Sequence, residues 1–475
     1  MKTIAQSLIL LSFFLFYCKQ QYRETSETLH KPNIILLIAD DAGYGDFSCY
    51  GQQKFNTPNI DRLAIEGMLF TQHYSGSTVC APSRSSLMTG EHTGHTFIRG
   101  NKEAQPEGQH PIPSSIKILP EYLKEAGYVT GGFGKWGLGA PGSEGDPVNQ
   151  GFDEWFGYNC QRLAHNYYPE YLWHNEDTVF LHENDEGKEG AYSHDLIHKE
   201  ALDFIENHQN ESFFLFLPYT IPHAELLVPD DSIFQYFSGK FPEEPFHGVD
   251  EGPQYRKGPY GSQQFPHAAF VSMMVRLDLA VGDIFDKLDF LNIGDNTLFI
   301  FTSDNGPHLE GGADPDFFNS NGPYQGYKRD FYEGGIRVPM IIRWPDRVKS
   351  GTTSDHISAF WDILPTLCDV TGINLQHQVD GISFLPTLLG EDFQQKNDYL
   401  YWEFYEQGGK QAVRFGNWKG IRLGVKENRN APIELYDLSN DPGEANNIAE
   451  KYPEIISLMD SIMNEAHEPS DVFQW

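Results

Sequence analysis

The sequence predicts an α/β fold: a large domain on a mainly parallel central sheet flanked by helices, then a smaller C-terminal α+β domain with an antiparallel sheet. Three observations carry this. Continuous apolar runs at 33–39 (N-I-I-L-L-I-A), 213–220 (F-F-L-F-L-P-Y-T) and 297–303 (T-L-F-I-F-T-S) read as strands buried on both faces. Helical stretches alternate with them, as crossovers between parallel strands require. From about Lys396 the pattern changes to short alternating strands around a G-N-W-K-G turn, an antiparallel hairpin.

Taken in order, the first run ends in Asp40-Asp41 and a Gly-rich turn, and T-P-N-I-D-R-L-A-I-E-G from Thr57 is a helix with Pro58 in its first turn and Gly67 at its end. The stretch V-C-A-P-S-R-S-S-L-M-T-G, from Val79 to Gly90, is a short helix that Gly90 stops, with Cys80 at its entrance. Residues 118–126 are helical, and 128–133 form a strand running into G-K-W-G at Gly134–Gly137. The long aromatic segment from Pro141 to Gly190 reads as irregular, and such segments in compact domains usually serve function. Helices at 193–208 and 268–291 bracket the central run, Val338–Trp344 is a strand and Phe360–Val370 a helix. The C-terminal domain holds the hairpin at 411–425, the strand I-E-L-Y-D-L and a closing helix at 454–466.

The 475 residues suit a large domain with a smaller companion, drawn at 32–390 and 391–475. A net charge of −33 excludes nucleic acid and anionic membrane surfaces as partners and requires a local basic pocket for any acidic substrate. Five scattered cysteines (Cys18, Cys49, Cys80, Cys160, Cys368) make neither a disulfide framework nor a zinc site. At the N-terminus, Lys2 and the apolar run from Leu8 to Tyr17 read as a signal peptide over 1–18, followed by a polar linker at 19–31. Leu15-Phe16-Tyr17-Cys18 resembles a bacterial lipobox, with Tyr17 where a small residue is usual. The expected location is outside the cytoplasm, in a bacterial periplasm or on the outer membrane through a lipid on Cys18.

Chemistry gathers at strand ends. Asp40, Asp41, Asp304 and Asn305 supply hard oxygen donors suited to a divalent cation. Lys135 follows one strand, His223 follows another, and Lys328 lies in a Gly-rich loop. With Arg84 and the open N–H groups at the Cys80 helix entrance, they make a pocket for a small tetrahedral anion.

C-A-P-S-R-S-S-L-M-T-G closely resembles the C-x-P-S-R-x-x-L-x-T-G signature of type I sulfatases, in the alkaline-phosphatase-like superfamily, and G-Y-V-T-G-G-F-G-K-W resembles their second signature. The D-D, P-H, S-D-N-G and G-x-K elements follow in the family's order, so the resemblance runs from Pro32 to the C-terminus. It implies a sulfuric ester hydrolase in which Cys80 is oxidised by a formylglycine-generating maturation enzyme. One hydroxyl of the hydrated aldehyde attacks sulfur, and the second expels sulfate afterwards. It implies calcium, in preference to magnesium, on Asp40, Asp41, Asp304 and Asn305. Arg84 would stabilise the hydrate, Lys135 and Lys328 would bind sulfate oxygens, and His223, with an ordinary pKa near neutrality, would protonate the leaving alcohol.

The chain departs from the pattern at Gly137, where the family usually carries a His two residues after the Lys; His92, His95 and His165 are candidate substitutes. Export and the family favour a sulfated glycan, with Gln161, Arg162, His165 and Asn166 as expected sugar contacts and a galactose-type unit as the expected sugar. The alternatives are a phosphate-ester hydrolase of the same superfamily and an inactive glycan-binding homologue.

Overall fold

The structure, a computed structural model, describes residues 31–475 except 106, 253 and 254. The signal segment, Cys18 and nearly all of the polar linker lie outside the described residues. The strands are β1 (Asn33–Ala39), β2 (Met68–Tyr74), β3 (Val129–Lys135), β4 (Glu154–Tyr158), β5 (Tyr171–His174), β6 (Asp177–Phe180), β7 (Phe213–Pro218), β8 (Thr297–Ser303), β9 (Arg337–Arg343), β10 (Thr352–Ser354) and β11 (Ser358–Ala359). They form one sheet in the order β10-β2-β9-β8-β1-β7-β3-β4-β5-β6, with β11 also on β2. The central block β8-β1-β7-β3-β4 is parallel. Antiparallel pairs lie to either side.

The apolar runs are buried on both faces, as their lack of alternation predicts. In β1, Ile35, Leu37 and Ala39 enter one core and Ile34, Leu36 and Ile38 the other. Helices α1 (Pro58–Glu66), α2 (Cys80–Thr89), α3 (Leu119–Glu125), α4 (Ser193–Asn207), α5 (Pro266–Phe290) and α6 (Ile363–Thr371) cover the two faces. Ile60, Phe204 and Leu277 bring α1, α4 and α5 to the first core; Leu87, Leu123 and Leu364 bring α2, α3 and α6 to the second. Among the described residues no helix is long and apolar enough to cross a membrane.

A second, antiparallel sheet of β12 (Leu400–Phe404), β13 (Lys410–Phe415), β14 (Trp418–Leu423) and β15 (Ile433–Asp437) packs against α7 (Pro453–Glu465). Lys419 of β14, fully buried, joins it to the segment that leads into β9 through Glu333 at 2.9 Å, and also pairs with Glu444 of its own unit at 3.5 Å.

Two readings of the sequence are corrected here. The strand expected at 128–133 runs on to Lys135, so the lysine ends the strand instead of following it. The segment 141–190, read as irregular, carries β4, β5 and β6 and widens the sheet. Its strands are four or five residues long and glycine replaces apolar alternation in β3 and β4. There the backbones come so close that a Cβ on Gly157 would stand 2.0 Å from the Gly134 carbonyl oxygen.

Candidate active site

Parallel pairing does most of the assembly. Ala39 and Ser303 are register partners, so Asp40-Asp41 after β1 and Asp304-Asn305 after β8 emerge side by side. β7 and β3 finish next to them, contributing His223 from the following loop and Lys135 from the last strand position. Ligand sites in open α/β sheets lie at this carboxyl edge. α2 starts at Cys80 with no cap from Val79, Ala81 N donates to Asn101 Oδ1 at 3.3 Å, and Ser83 Oγ donates to the Asp304 carbonyl at 2.6 Å, pinning the helix to the end of β8. Asp41 has φ 65°, a left-handed backbone that a non-glycine residue holds only where its surroundings fix it, and such strain gathers at functional sites.

The side chains interlock. Cys80 Sγ lies 3.2 Å from Asp40 Oδ1 and 3.5 Å from Lys135 Nζ, which donates to Asp40 Oδ2 at 2.6 Å. Arg84 sends Nε and one terminal nitrogen to Asp304 Oδ2 (3.2 and 2.9 Å), reaches Asp40 Oδ2 at 3.2 Å, and donates to the Lys135 carbonyl. On the other side of the acidic pair, Lys328 Nζ donates to Asp41 Oδ2 at 2.7 Å and to His223 Nε2 at 3.1 Å. All of these residues are buried.

Burial alone would push the Asp40 carboxyl up, but Lys135 foremost among its neighbours outweighs this and holds it well below the usual range. Burial and Asp40 push Asp304 up to about 7. Burial and Asp40 also drive the Cys80 thiol well above its ordinary value, against the pull of Lys135. His223 corrects the expectation of a histidine titrating near neutrality: burial, Lys328 and Lys135 push it well down. Its Nδ1 faces the Ala224 carbonyl and its Nε2 receives Lys328, which assigns the neutral tautomer with the proton on Nδ1.

Three buried carboxylates face three buried cations, so their formal charges cancel and the cluster carries no net charge of its own. Asn305 Nδ2 donates to Asp41 Oδ1 at 2.7 Å, while its enclosed Oδ1 accepts no hydrogen bond. An orphan carboxamide oxygen beside three convergent carboxylates is an oxygen-only donor set, and it fits a hard divalent cation. Asp40, Asp41, Cys80 and His223 also bring ligand atoms within 4.8 Å of one another.

The other expected residues distribute as follows. His165 stacks on His223 with ring centroids 5.0 Å apart, and burial followed by Lys135 pushes it down to about 4. Gln161 sits over Gly137: a Cβ there would stand 2.8 Å from Gln161 Nε2, and φ is +88°, so position 137 takes glycine. Arg162 points to a neighbouring cavity, and Asn166 spends its side chain on Tyr168 N and the Arg256 carbonyl. His92 and His95 lie past the far end of α2, about 15 Å of helix from Cys80. There His95 pairs with Asp380 at 2.9 Å, which leaves His165 as the candidate substitute at the site.

Sequence reasoning missed Glu310, Arg329 and Tyr260. Glu310 lies 3.8 Å from Lys328, pairs with Arg329 and accepts from Tyr260 at 3.0 Å. Burial would raise it, but Lys328 leads the groups that hold it at about 2. These residues come from three loops without periodicity, and only the position of Glu310 shortly after S-D-N-G hinted at a role.

The sulfatase family model matches residues 32–373, and that for the C-terminal part of N-sulphoglucosamine sulphohydrolase matches 324–469. An N-acetylgalactosamine-6-sulfatase of Canis lupus familiaris is 31% identical over 462 residues, covering 87% of this chain and 81% of that protein. An N-acetylgalactosamine-6-O-sulfatase of Bacteroides thetaiotaomicron is 31% identical over 529 residues, covering 98% and 99%. The crystal structure of Ps i-CgsB in complex with k-i-k-neocarrahexaose matches with a TM-score of 0.75 and 27% identity over 92% of each chain.

Proposed function

Because this chain belongs to the sulfatase family and is a sulfuric ester hydrolase, we propose that it removes sulfate from a sulfated carbohydrate, with residue 80 as nucleophile. The observation that carries this is the meeting of Cys80, at a helix start, with four oxygen donors and two buried lysines. The relatives named for N-acetylgalactosamine 6-sulfate and the carrageenan-bound neighbour support a galactose-type sugar.

Formylglycine at residue 80, once hydrated, supplies one hydroxyl to attack sulfur and a second to release it. Asp40, Asp41, Asp304 and Asn305 would hold calcium, which when bound would supply positive charge beside the sulfate and lower the pKa of a neighbouring hydroxyl. The chain's own residues do the rest. Lys135 orients the nucleophile and takes one sulfate oxygen, while Arg84 fixes Asp40 and Asp304 against the end of β3. Lys328, which donates to His223 Nε2 at 3.1 Å, provides the proton to the departing sugar oxygen and regains one from solvent, while the unprotonated Nε2 of neutral His223 holds the ammonium in place. His165, stacked on His223, and Gln161, beside Gly137, are proposed to face the sulfated sugar, with Arg162 farther out and Asn166 holding the loop through Tyr168 and Arg256. The catalytic domain is proposed as 32–390 with a C-terminal unit at 391–475. The protein is proposed to be exported, with Cys18 lipidated.

The test is the intact mass of the tryptic peptide containing Cys80, after co-expression with a maturation enzyme, with sulfate and phosphate release from sulfated and phosphorylated sugars, with and without chelator. Formylglycine and chelator-sensitive sulfate release are expected. An unmodified thiol, or phosphate release alone, would refute the proposal.

A further inference from the structure

Two cavities lie side by side on the rim beyond His165, and the proposed reaction uses neither. The first, about 270 Å³, is walled by Glu103, Glu107, Cys160, Arg162, Leu163 and Lys257. The second, about 250 Å³, is walled by Leu163, Tyr168, Tyr171, Tyr255, Arg256 and Lys257. Leu163 and Lys257 belong to both, so the cavities adjoin across these two side chains, and we treat them together as a groove in the size range of organic ligand sites.

The groove continues from the catalytic cluster. Lys135, at the end of β3, pairs in register with Tyr158 of β4, and Gly137 N donates to the Asn159 carbonyl at 3.2 Å. The next residues, Cys160, Arg162 and Leu163, are the groove wall. The same segment then returns His165 onto His223, and His165 is tied to the Gly258 carbonyl at 3.0 Å, one residue past Lys257.

Its chemistry is that of an anionic sugar chain. Arg162 donates Nε to the Lys257 carbonyl at 2.8 Å and pairs with Glu103 at 3.3 Å, which holds its guanidinium in place while 42% of the side chain stays exposed. Lys257 pairs with no carboxylate among the described residues. Tyr171 and Trp173 anchor Glu107 at 2.5 and 2.8 Å. Arg256, held by Glu189 at 2.8 Å, lies 5.0 Å from the Tyr255 ring and 5.5 Å from that of Tyr168, stiffening an aromatic wall. Tyrosine faces stack on sugar rings, and although Glu103, Glu107 and Glu170 also line the cavities, Lys257 and the half-exposed Arg162 stand next to each other as donors for an anion.

We infer that this groove binds the sugar residues adjoining the sulfated one, so that the substrate is an anionic oligosaccharide of three or more residues, with a neighbouring sulfate or carboxylate held by Arg162 and Lys257. The inference rests on the reading of the substrate as a sulfated glycan.

Binding to the Cys80→Ala protein, measured by titration calorimetry, tests it apart from turnover. The probes are N-acetylgalactosamine 6-sulfate, a chondroitin 6-sulfate tetrasaccharide (uronate neighbours) and a neocarrahexaose (sulfate neighbours only). At least one oligosaccharide should bind about tenfold or more tighter than the monosaccharide, the size of one charge-assisted hydrogen bond, and the tighter of the two identifies the neighbouring anion. Lys257→Ala and Arg162→Ala, each in the same background, should erase that gain and leave the monosaccharide Kd unchanged. Equal affinity for mono- and oligosaccharide, or unaltered oligosaccharide binding by both variants, would overturn the inference. Binding that depends on Lys257 without any turnover by the Cys80 enzyme would leave the groove standing and refute the reaction instead.

Discussion

Lys135 and Lys328 flank the acidic pair from opposite sides, and their partners imply different work. Lys135 touches Asp40 at 2.6 Å and Cys80 Sγ at 3.5 Å, the side of the nucleophile. Lys328 touches Asp41 at 2.7 Å and His223 at 3.1 Å, the side proposed for the leaving group. Losing a charged donor to a developing oxyanion costs about 10²–10³-fold in kcat. Losing a general acid costs about 10²–10⁴-fold, but only where the leaving oxygen needs a proton. A nitrophenolate leaves without one and a sugar alkoxide does not. Lys135→Ala should therefore lower kcat/KM by about 10²–10³-fold on a sulfated sugar and on 4-nitrophenyl sulfate alike. Lys328→Ala should cost about 10³-fold or more on the sugar and at least about tenfold less on the nitrophenyl ester. The assay is steady-state kinetics on both substrates, with the mass of peptide 80 confirming equal maturation. Equal losses for Lys328→Ala on the two substrates, or a leaving-group dependence in Lys135→Ala, would refute the division of roles.

Three further outcomes are expected. Calcium should raise the Tm of the parent and EDTA reverse the rise, whereas Asn305→Ala should need at least about tenfold more calcium for the same shift, read by scanning calorimetry. Lys419→Met strands the buried Glu444 carboxyl and leaves Glu333 with Arg337 at 3.2 Å, so urea unfolding should show a loss of about 3–5 kcal/mol; a loss under about 1 kcal/mol would show the pair to be dispensable. The hydrogen bond to Asp380 raises His95, a contribution present below the ordinary histidine pKa of about 6.5 and lost as pH rises through the folded value. Burial would raise Asp380, but His95 leads the groups that lower it, a contribution lost as pH falls below about 4. His95→Ala should therefore destabilise most between about pH 4 and 6.5, and a difference from the parent that stays flat from pH 5 to 9 would contradict the pairing.

The centre of the fold was legible because burial on both faces leaves a continuous apolar run, and β1, β7 and β8 each have one. The acid and amide pairs were legible for the same reason: they interrupt those runs at the strand ends. β4–β6 were not, since four- and five-residue strands with glycine at the contact show no period. Nor was the protonation of His223, which burial sets first and then Lys328, 105 positions away in sequence. Glu310 and Tyr260 escaped because loop residues brought together by tertiary packing leave no local pattern.

The register between Ala39 and Ser303 ties the acidic cluster to the most deeply packed strands of the molecule. A one-residue insertion in β1 or β8 would turn core side chains to the wrong face before it could shift a ligand. The reaction centre is thus closed to gradual adjustment. The groove wall hangs from the end of β4, away from the β8-β1-β7 centre, where loops can lengthen and exchange side chains without cost to the interior. Substrate preference and catalytic chemistry are separable inheritances in this protein, and engineering a new sugar preference should begin at residues 160–165 and 255–258.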